Sequence, residues 1–160
     1  MDWHKAHTAI REYVFRIQTP GGFGTGFLCG YNEGRRLALI ATAWHVVEHA
    51  DAWREPIRLT HEASGETAFL PDADRIIFPD VSRDTAAILF SIRGGDGERF
   101  AEHLPEKTLS LMEPDKYKKI GNPVAWVGYP AVAPNYLCFF RGYISAFRHD
   151  TDAYLIDGSR

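Results

Sequence analysis

The chain has 160 residues, of which 45% are hydrophobic and 13% aromatic, and its formal net charge is −3. This content is enough for one domain with a substantial core or for two small packed barrels. The slightly acidic balance gives no reason to expect a nucleic acid as a partner. No stretch approaches the roughly 18 apolar residues of a membrane helix, and the N-terminus lacks the apolar run of a signal peptide. We therefore expect no nucleic-acid or membrane partner and a cytoplasmic location.

Short apolar or alternating runs, separated by Gly, Pro, Asp and Asn, predict an all-β sandwich or barrel. The predicted strands, in chain order, are Val14–Thr19, Gly24–Gly30, Arg36–Thr42, Ile57–His61, Glu66–Phe69, Asp74–Phe78, Thr85–Ser91, Leu109–Leu111, Pro123–Gly128, Leu137–Phe147 and Ala153–Ile156. The best helical candidates are Asp2–Tyr13 and Ala43–Ala50. The polar stretch Gly94–Glu98 is the predicted linker between a first β unit, residues 1–93, and a second, residues 94–160.

The glycine-rich segment Gly21–Phe27 contains a G-x-G motif that also occurs in nucleotide-binding proteins. Here no lysine or acidic residue stands where a dinucleotide or phosphate-binding loop needs one, and a strand pattern follows instead of a helix. The segment therefore predicts a turn and then a strand whose glycines let a neighbouring backbone approach closely.

The two candidate catalytic residues lie at the ends of predicted strands. His45 follows the strand Arg36–Thr42, and Asp84 directly precedes the strand Thr85–Ser91. A hydroxyl nucleophile needs a neutral imidazole to take its proton and a carboxylate to orient that imidazole. We expect a carboxylate oxygen of Asp84 about 2.6–3.2 Å from Nδ1 of His45, and we expect the carboxylate to be partly buried because an apolar run follows it. The alternative for each residue alone is that His45 caps a strand and Asp84 caps a turn.

The remaining histidines and the cysteines do not predict a metal site. His45 and His49 are four residues apart and could share a helical face, but the segment lacks the glutamate of the zinc motif H-E-x-x-H. The other histidines are expected on the surface or in loops. Cys29 and Cys138 have no zinc spacing, and two buried free thiols are favoured over a disulfide between them. We expect neither a metal ion nor a cofactor.

Six segments carry a resemblance to a known family, and they follow the order found in that family: Gly24–Leu28 (G-T-G-F-L), Ala41–Val46 (A-T-A-W-H-V), Asp84–Leu89 (D-T-A-A-I-L), Val127–Pro130 (V-G-Y-P), Arg141–Ser145 (R-G-Y-I-S) and Tyr154–Gly158 (Y-L-I-D-G). Together they resemble a trypsin-like (chymotrypsin-fold) serine protease, nearest to the bacterial Deg/HtrA-type peptidase domains. The second segment resembles the family's T-x-x-H-V motif, which implies that His45 is the general base. The third resembles D-x-A-x-L, which implies that Asp84 is the orienting acid.

The chain departs from this family in two places. The G-x-S-G-G motif, which supplies the nucleophile and the oxyanion hole, is absent, and we expect it a few residues beyond Arg160. Ser159 is the alternative nucleophile, although two glycines do not follow it. The residue after the candidate base is Val46, where secreted trypsins have a disulfide-bonded cysteine, and this favours an intracellular or bacterial-type enzyme.

The resemblance implies an all-β fold of two six-stranded-type antiparallel barrels, the second incomplete in this chain. It implies a serine endopeptidase acting on a peptide or an unfolded protein, with no cofactor and with further domains fused in the full-length protein. The 160-residue chain alone is expected to be inactive. Two alternatives remain: a non-catalytic peptide-binding module, and a structural domain in which His45 and Asp84 are incidental.

Overall fold

The computed structural model describes residues 2–114 and 116–158. The chain divides into two compact units, the first ending at Leu109 and the second beginning at Ser110. The predicted boundary between residues 93 and 94 lies inside the first unit.

Seven antiparallel strands form one curled sheet in the first unit, in the order β5-β4-β1-β2-β3-β7-β6. Their bounds are β1 Val14–Thr19, β2 Gly22–Tyr31, β3 Leu37–Thr42, β4 Ile57–His61, β5 Thr67–Leu70, β6 Arg75–Asp80 and β7 Thr85–Ser91. Side chains alternate between the two faces of a strand, so every second residue of β3 and β7 is buried. Ile40 of β3 pairs with Ile88 of β7, and both are fully buried. The inner face of the sheet therefore forms the core.

Two α-helices accompany this sheet, α1 over Trp3–Ile10 and α2 over Trp44–Ala52. The side chain of Asp2 caps α1 by accepting hydrogen bonds from the first-turn N–H groups. Helix α2 packs Val46, Val47 and Ala50 onto the core. Short 3₁₀ turns complete the unit at Arg11–Tyr13, Asp72–Asp74, Val81–Arg83 and Asp96–Phe100. Within the described residues, no helix has the length and apolar content to cross a lipid bilayer.

The predicted linker Gly94–Glu98 is held against the first unit by the turn Asp96–Phe100. Phe100 is fully buried, with its ring centroid 5.2 Å from that of Phe15 and 6.1 Å from that of Phe90. A Cβ added to Gly97 would lie 2.1 Å from the carbonyl oxygen of Ser91. Gly97 therefore allows close packing, and the segment is not a free linker.

The second unit contains a three-stranded antiparallel sheet in the order β10-β9-β8. Its strands are β8 Pro123–Gly128, β9 Cys138–Arg148 and β10 Ala153–Gly158. The rings of Trp126 and Phe140 stack with their centroids 5.7 Å apart. The predicted strand Leu109–Leu111 is wrong, because these residues have no regular structure and pair with no strand. The all-β fold class is confirmed.

Candidate active site

Helix α2 begins directly after β3, and its first turn carries His45. The N-cap residue is Ala43, whose side chain has no acceptor for the first N–H groups of the helix. A helix leaves those N–H groups without partners inside the helix. Here the backbone N–H of Trp44 donates to the carbonyl oxygen of Asp84 at 3.1 Å. A remote residue therefore completes the start of this helix.

Asp84 reaches the helix from a sharp turn. It ends the 3₁₀ turn Val81–Arg83 with φ 51° and ψ 44°, in the left-handed region. Asp and Asn enter that region more readily than other residues with a side chain. The turn presents both the carbonyl and the carboxylate of Asp84 to α2, while β7 begins at the next residue.

The carboxylate of Asp84 contacts His45 through both of its oxygens. Oδ1 accepts a hydrogen bond from the backbone N–H of His45 at 2.9 Å. Oδ2 lies 2.6 Å from Nδ1 of the imidazole, which confirms the predicted contact between these atoms. Because an ionised carboxylate only accepts hydrogen bonds, a neutral His45 in this contact carries its proton on Nδ1. Nε2 then has a lone pair available to take a proton.

Hydrogen bonding favours the ionised form of Asp84. The side chain of His45, then the backbone N–H of His45, lower the pKa of Asp84 below its usual range. The expectation of partial burial is wrong, because 52% of the Asp84 side chain and 69% of the His45 side chain are exposed. The carboxylate stands ahead of the apolar run and turns towards the helix, and the first residue of β7, Thr85, is also exposed.

The glycine-rich strand β2 leaves room for helix α2. A Cβ added to Gly24 would lie 2.4 Å from Cγ2 of Val46, the residue after the candidate base. The hydroxyl of Thr42 donates to the carbonyl of Thr25 at 2.9 Å, which ties the end of β3 to β2. The segment is a strand after a turn, as predicted, and its glycine admits a helix side chain.

A second histidine of α2 is also paired with a carboxylate. Nδ1 of His49 lies 2.9 Å from Oε2 of Glu55, just beyond the end of the helix. The prediction that His61 lies on the surface or in a loop is wrong. His61 ends β4 fully buried, with Nδ1 2.8 Å from the hydroxyl of Ser64 and Nε2 2.7 Å from the carbonyl of Glu12.

No group of three or more His, Cys, Asp or Glu side chains is placed to hold a metal ion in the part of the chain that the structure describes. Cys29 and Cys138 are free and half-buried, and burial raises the pKa of Cys29.

A cavity of about 350 Å³ opens on the first unit near Phe90 and Gly95, and neither His45 nor Asp84 lines it. The alternative nucleophile Ser159 lies outside the described residues.

Sequence reasoning missed Arg75, the first residue of β6. Its side chain is 1% exposed. Nη1 donates to the carbonyl of Leu70 at 2.7 Å, and Nη2 donates to the carbonyl of Ala50 at 3.1 Å. Burial lowers the pKa of Arg75, and the charges of Asp72 and Asp51 oppose that shift. The signal in the sequence is an arginine two residues from Ile77 in an apolar strand, on the same face.

No protein-family model and no curated protein matches the chain. Among solved structures the chain is similar to Rv3671c from M. tuberculosis H37Rv, determined as an inactive form of a serine-to-alanine mutant. The two are 19% identical, with a TM-score of 0.57, and the match covers 87% of this chain and 53% of the other. The chain thus spans about half the length of that solved protein. The likeness shows the fold, which is the all-β chymotrypsin-like fold that the sequence predicts.

Proposed function

We propose that the chain belongs to a serine endopeptidase of the trypsin-like type, with His45 as the general base and Asp84 as the acid that orients it. The observation that carries the proposal is the double contact of Asp84, whose two oxygens bond the backbone N–H and Nδ1 of one histidine. Two bonds to one residue fix the orientation of the carboxylate as well as its distance. The same fold occurs in Rv3671c, whose solved structure is an inactive form with a serine replaced by alanine.

The chemistry follows from the free Nε2 of His45. A serine hydroxyl attacks the peptide carbonyl carbon, a C–O bond forms, and Nε2 accepts the hydroxyl proton. Asp84 stabilises the resulting imidazolium through Nδ1–H. The same proton then passes to the leaving amine as the C–N bond breaks, and water hydrolyses the acyl-enzyme in a second, parallel cycle. No metal or cofactor takes part in these steps.

The substrate in this proposal is a peptide or an unfolded protein, and the Deg/HtrA-type domains are the proposed nearest branch. The serine and the backbone N–H groups of the oxyanion hole are expected in a G-x-S-G-G segment of the full-length protein. The motifs at His45 and Asp84 support this assignment because they occur in the family's order.

A fluorophosphonate probe tests the proposal in the full-length protein encoded by the gene. An activated serine forms a P–O bond with this reagent and releases fluoride, so stoichiometric labelling of one serine is expected. His45→Ala should abolish labelling, because the serine loses its base. His49→Ala is the matched control, since it removes an imidazole from the same helix, and it should label like the wild type. Labelling that is unchanged in His45→Ala would rule out the assigned base.

The second candidate is the non-catalytic peptide-binding module, which keeps the fold but has no nucleophile. No G-x-S-G-G segment occurs in the 160 residues. Binding of an unfolded, fluorescently labelled polypeptide by the full-length protein, with neither cleavage nor fluorophosphonate labelling, would establish the binding module in place of the protease.

A further inference from the structure

Helix α2 is held at both of its ends by groups from one β-hairpin. β6 begins with Arg75, and the turn after β6 ends with Asp84. Asp84 contacts the first turn of the helix, and Arg75 donates to the carbonyl of Ala50 in its last turn. The antiparallel ladder between β6 and β7 fixes the two groups relative to one another, because it pairs Arg75 with Phe90 and Asp80 with Thr85.

The charges of the two groups match the ends of the helix. The N-terminus of a helix carries partial positive charge and the C-terminus partial negative charge. The carboxylate of Asp84 lies at the N-terminus of α2, and the guanidinium of Arg75 lies at its C-terminus. Ala50 is fully buried, so its carbonyl is shielded from water, and it also accepts the backbone N–H of Glu55 at 2.8 Å.

The guanidinium of Arg75 is committed to this contact. Its Nη1 donates to the carbonyl of Leu70 at the end of β5. The two Nη groups therefore connect the guanidinium to the sheet as well as to the helix. A carboxylate oxygen of Asp72 lies 3.9 Å from Nη2. The buried Nε of Arg75 has no hydrogen-bond partner among the described residues, so the two Nη contacts are the ones that offset the cost of burying this cation. A guanidinium holds two such acceptors in a rigid geometry.

We propose that Arg75 is a positioning residue for the imidazole of His45, acting through helix α2. The inference rests on the proposed function for its kinetic consequence. Arg75 sets where the helix lies along its axis and how it is rotated, while Asp84 can bond both the N–H and the ring of His45 only when the first turn lies in place. Loss of the two Nη hydrogen bonds frees the C-terminal end of α2, and the contacts of Asp84 with His45 at the N-terminal end become less well ordered.

The test compares Arg75→Met with the wild type in the full-length protein. Methionine fills much of the space and donates no hydrogen bond. We expect kcat to fall roughly 10- to 100-fold, because small displacements of catalytic groups cost that much, and we expect KM to stay near its wild-type value because Arg75 is buried. His61→Phe is the matched control. It also removes two hydrogen bonds of a buried side chain, those to Ser64 and Glu12, and it should leave kcat near the wild-type value.

A second readout does not depend on activity. The ¹⁵N chemical shifts of the His45 ring report which nitrogen carries the proton. In the wild type we expect mainly the Nδ1–H tautomer that the contact with Asp84 requires, and in Arg75→Met a mixture with the Nε2–H tautomer. If neither the wild type nor any variant hydrolyses peptides, the proposed function fails, and the tautomer still tests the positioning role.

Arg75→Lys completes the series and covers the case in which Arg75→Met does not fold. Lysine keeps the charge but presents a single ammonium in place of a planar fork. An intermediate kcat and an intermediate tautomer population are expected. A His45 tautomer that matches the wild type in a folded Arg75 variant, or a loss of kcat that His61→Phe reproduces at equal thermal stability, would overturn the proposal.

Discussion

Helix α2 carries two histidine–carboxylate pairs, one in its first turn and one near its end, and the two are held differently. His45 lies 2.6 Å from Asp84, and His49 lies 2.9 Å from Glu55. Both imidazoles are exposed, with 69% and 57% of their side chains accessible. Only Asp84 also accepts a backbone N–H of the helix with its second oxygen and another with its carbonyl. A short distance is therefore common to both pairs, and the anchoring of the carboxylate is what distinguishes them.

The two pairs also differ in what must fold before they form. Glu55 is six residues from His49, so a helix and the chain just after it suffice. Asp84 is 39 residues from His45, and the pairing of β3 with β7 brings them together through Thr42 and Ala86. The pair of His45 and Asp84 therefore forms only when the sheet has folded. Three comparisons of matched substitutions separate the two pairs, and a fourth prediction concerns the buried His61; we order them by the size of the expected effect.

The largest expected difference is between His45→Ala and His49→Ala. In the full-length protein, His45→Ala should lower kcat for peptide hydrolysis by about 10⁴- to 10⁶-fold, because the serine loses its proton acceptor. His49→Ala should stay close to the wild type. Steady-state kinetics with a fluorogenic peptide measures both. An equal fall in kcat in the two variants would show that the contacts of the carboxylate with the helix backbone do not identify the base.

The next difference is between Asp84→Asn and Glu55→Gln. Asparagine can still accept the backbone N–H of His45, but its amide would donate to Nδ1 and so favour the wrong tautomer. We expect kcat to fall roughly 10⁴-fold, with little change in the thermal unfolding midpoint. Glu55→Gln should change neither quantity appreciably. A fully active Asp84→Asn enzyme would remove Asp84 from the mechanism.

A smaller effect concerns the backbone at the start of α2. Asp84→Ala removes the acceptor for the N–H of His45, so that amide should exchange with solvent several-fold faster. In Glu55→Ala the carboxylate that is lost contacts the ring of His49, so the backbone amide of His45 should keep its protection. Hydrogen exchange followed by NMR makes the comparison residue by residue. Unchanged protection in Asp84→Ala would mean that the helix start is held by other groups.

The smallest effect concerns a third histidine, His61, whose ring is held by neutral partners. Burial lowers the pKa of His61 below its usual 6.5, with the charge of His103 acting in the same direction and those of Glu12 and Glu62 opposing it. The unfolded chain then binds the proton more readily than the folded one. The contribution of His61 to stability is therefore complete above about pH 6.5 and is lost as the pH falls below that value towards the lower, folded pKa.

This dependence is measurable by denaturant unfolding at a series of pH values between 7 and 5. His61→Phe should lower the free energy of unfolding at neutral pH, because two hydrogen-bonding groups lose their partner. It should also flatten the decline towards low pH. A decline as steep as that of the wild type would assign the acid sensitivity to carboxylates.

The strands were the part of the fold most open to prediction from the sequence, because apolar alternation and turn residues are local. Val14–Thr19, Ile57–His61, Thr85–Ser91 and Pro123–Gly128 have the predicted bounds. The interpretation of Gly94–Glu98 as a linker between two units differs from the structure for a non-local reason. Its glycines indicate a loop, but Phe100, two residues later, packs between rings from distant strands and holds the stretch on the first unit.

The candidate pair itself was predictable as two motifs, and its contact is present. The exposure of Asp84 was not predictable, since the apolar run after it says nothing about the left-handed turn in which it lies. The N-cap residue of α2, Ala43, has no side-chain acceptor, which indicates weakly that another residue must accept the first N–H groups of the helix. Arg75 contacts the opposite end of the helix at Ala50. Its only signal in the sequence is an arginine on one face of an apolar strand, and its contact with the helix depends on the packing of β6 against α2.

The left-handed backbone of Asp84 has a consequence for how this protein diverges. At φ 51°, Gly, Asn and Asp are accommodated at lower cost than other residues. Changes from Asp to Asn or Gly each need one nucleotide, and both leave the turn intact while removing the carboxylate. A descendant that loses the acid by this route would keep its sheet and its helix. Among relatives, the residue at this single position should therefore separate functional lineages that the overall fold cannot tell apart.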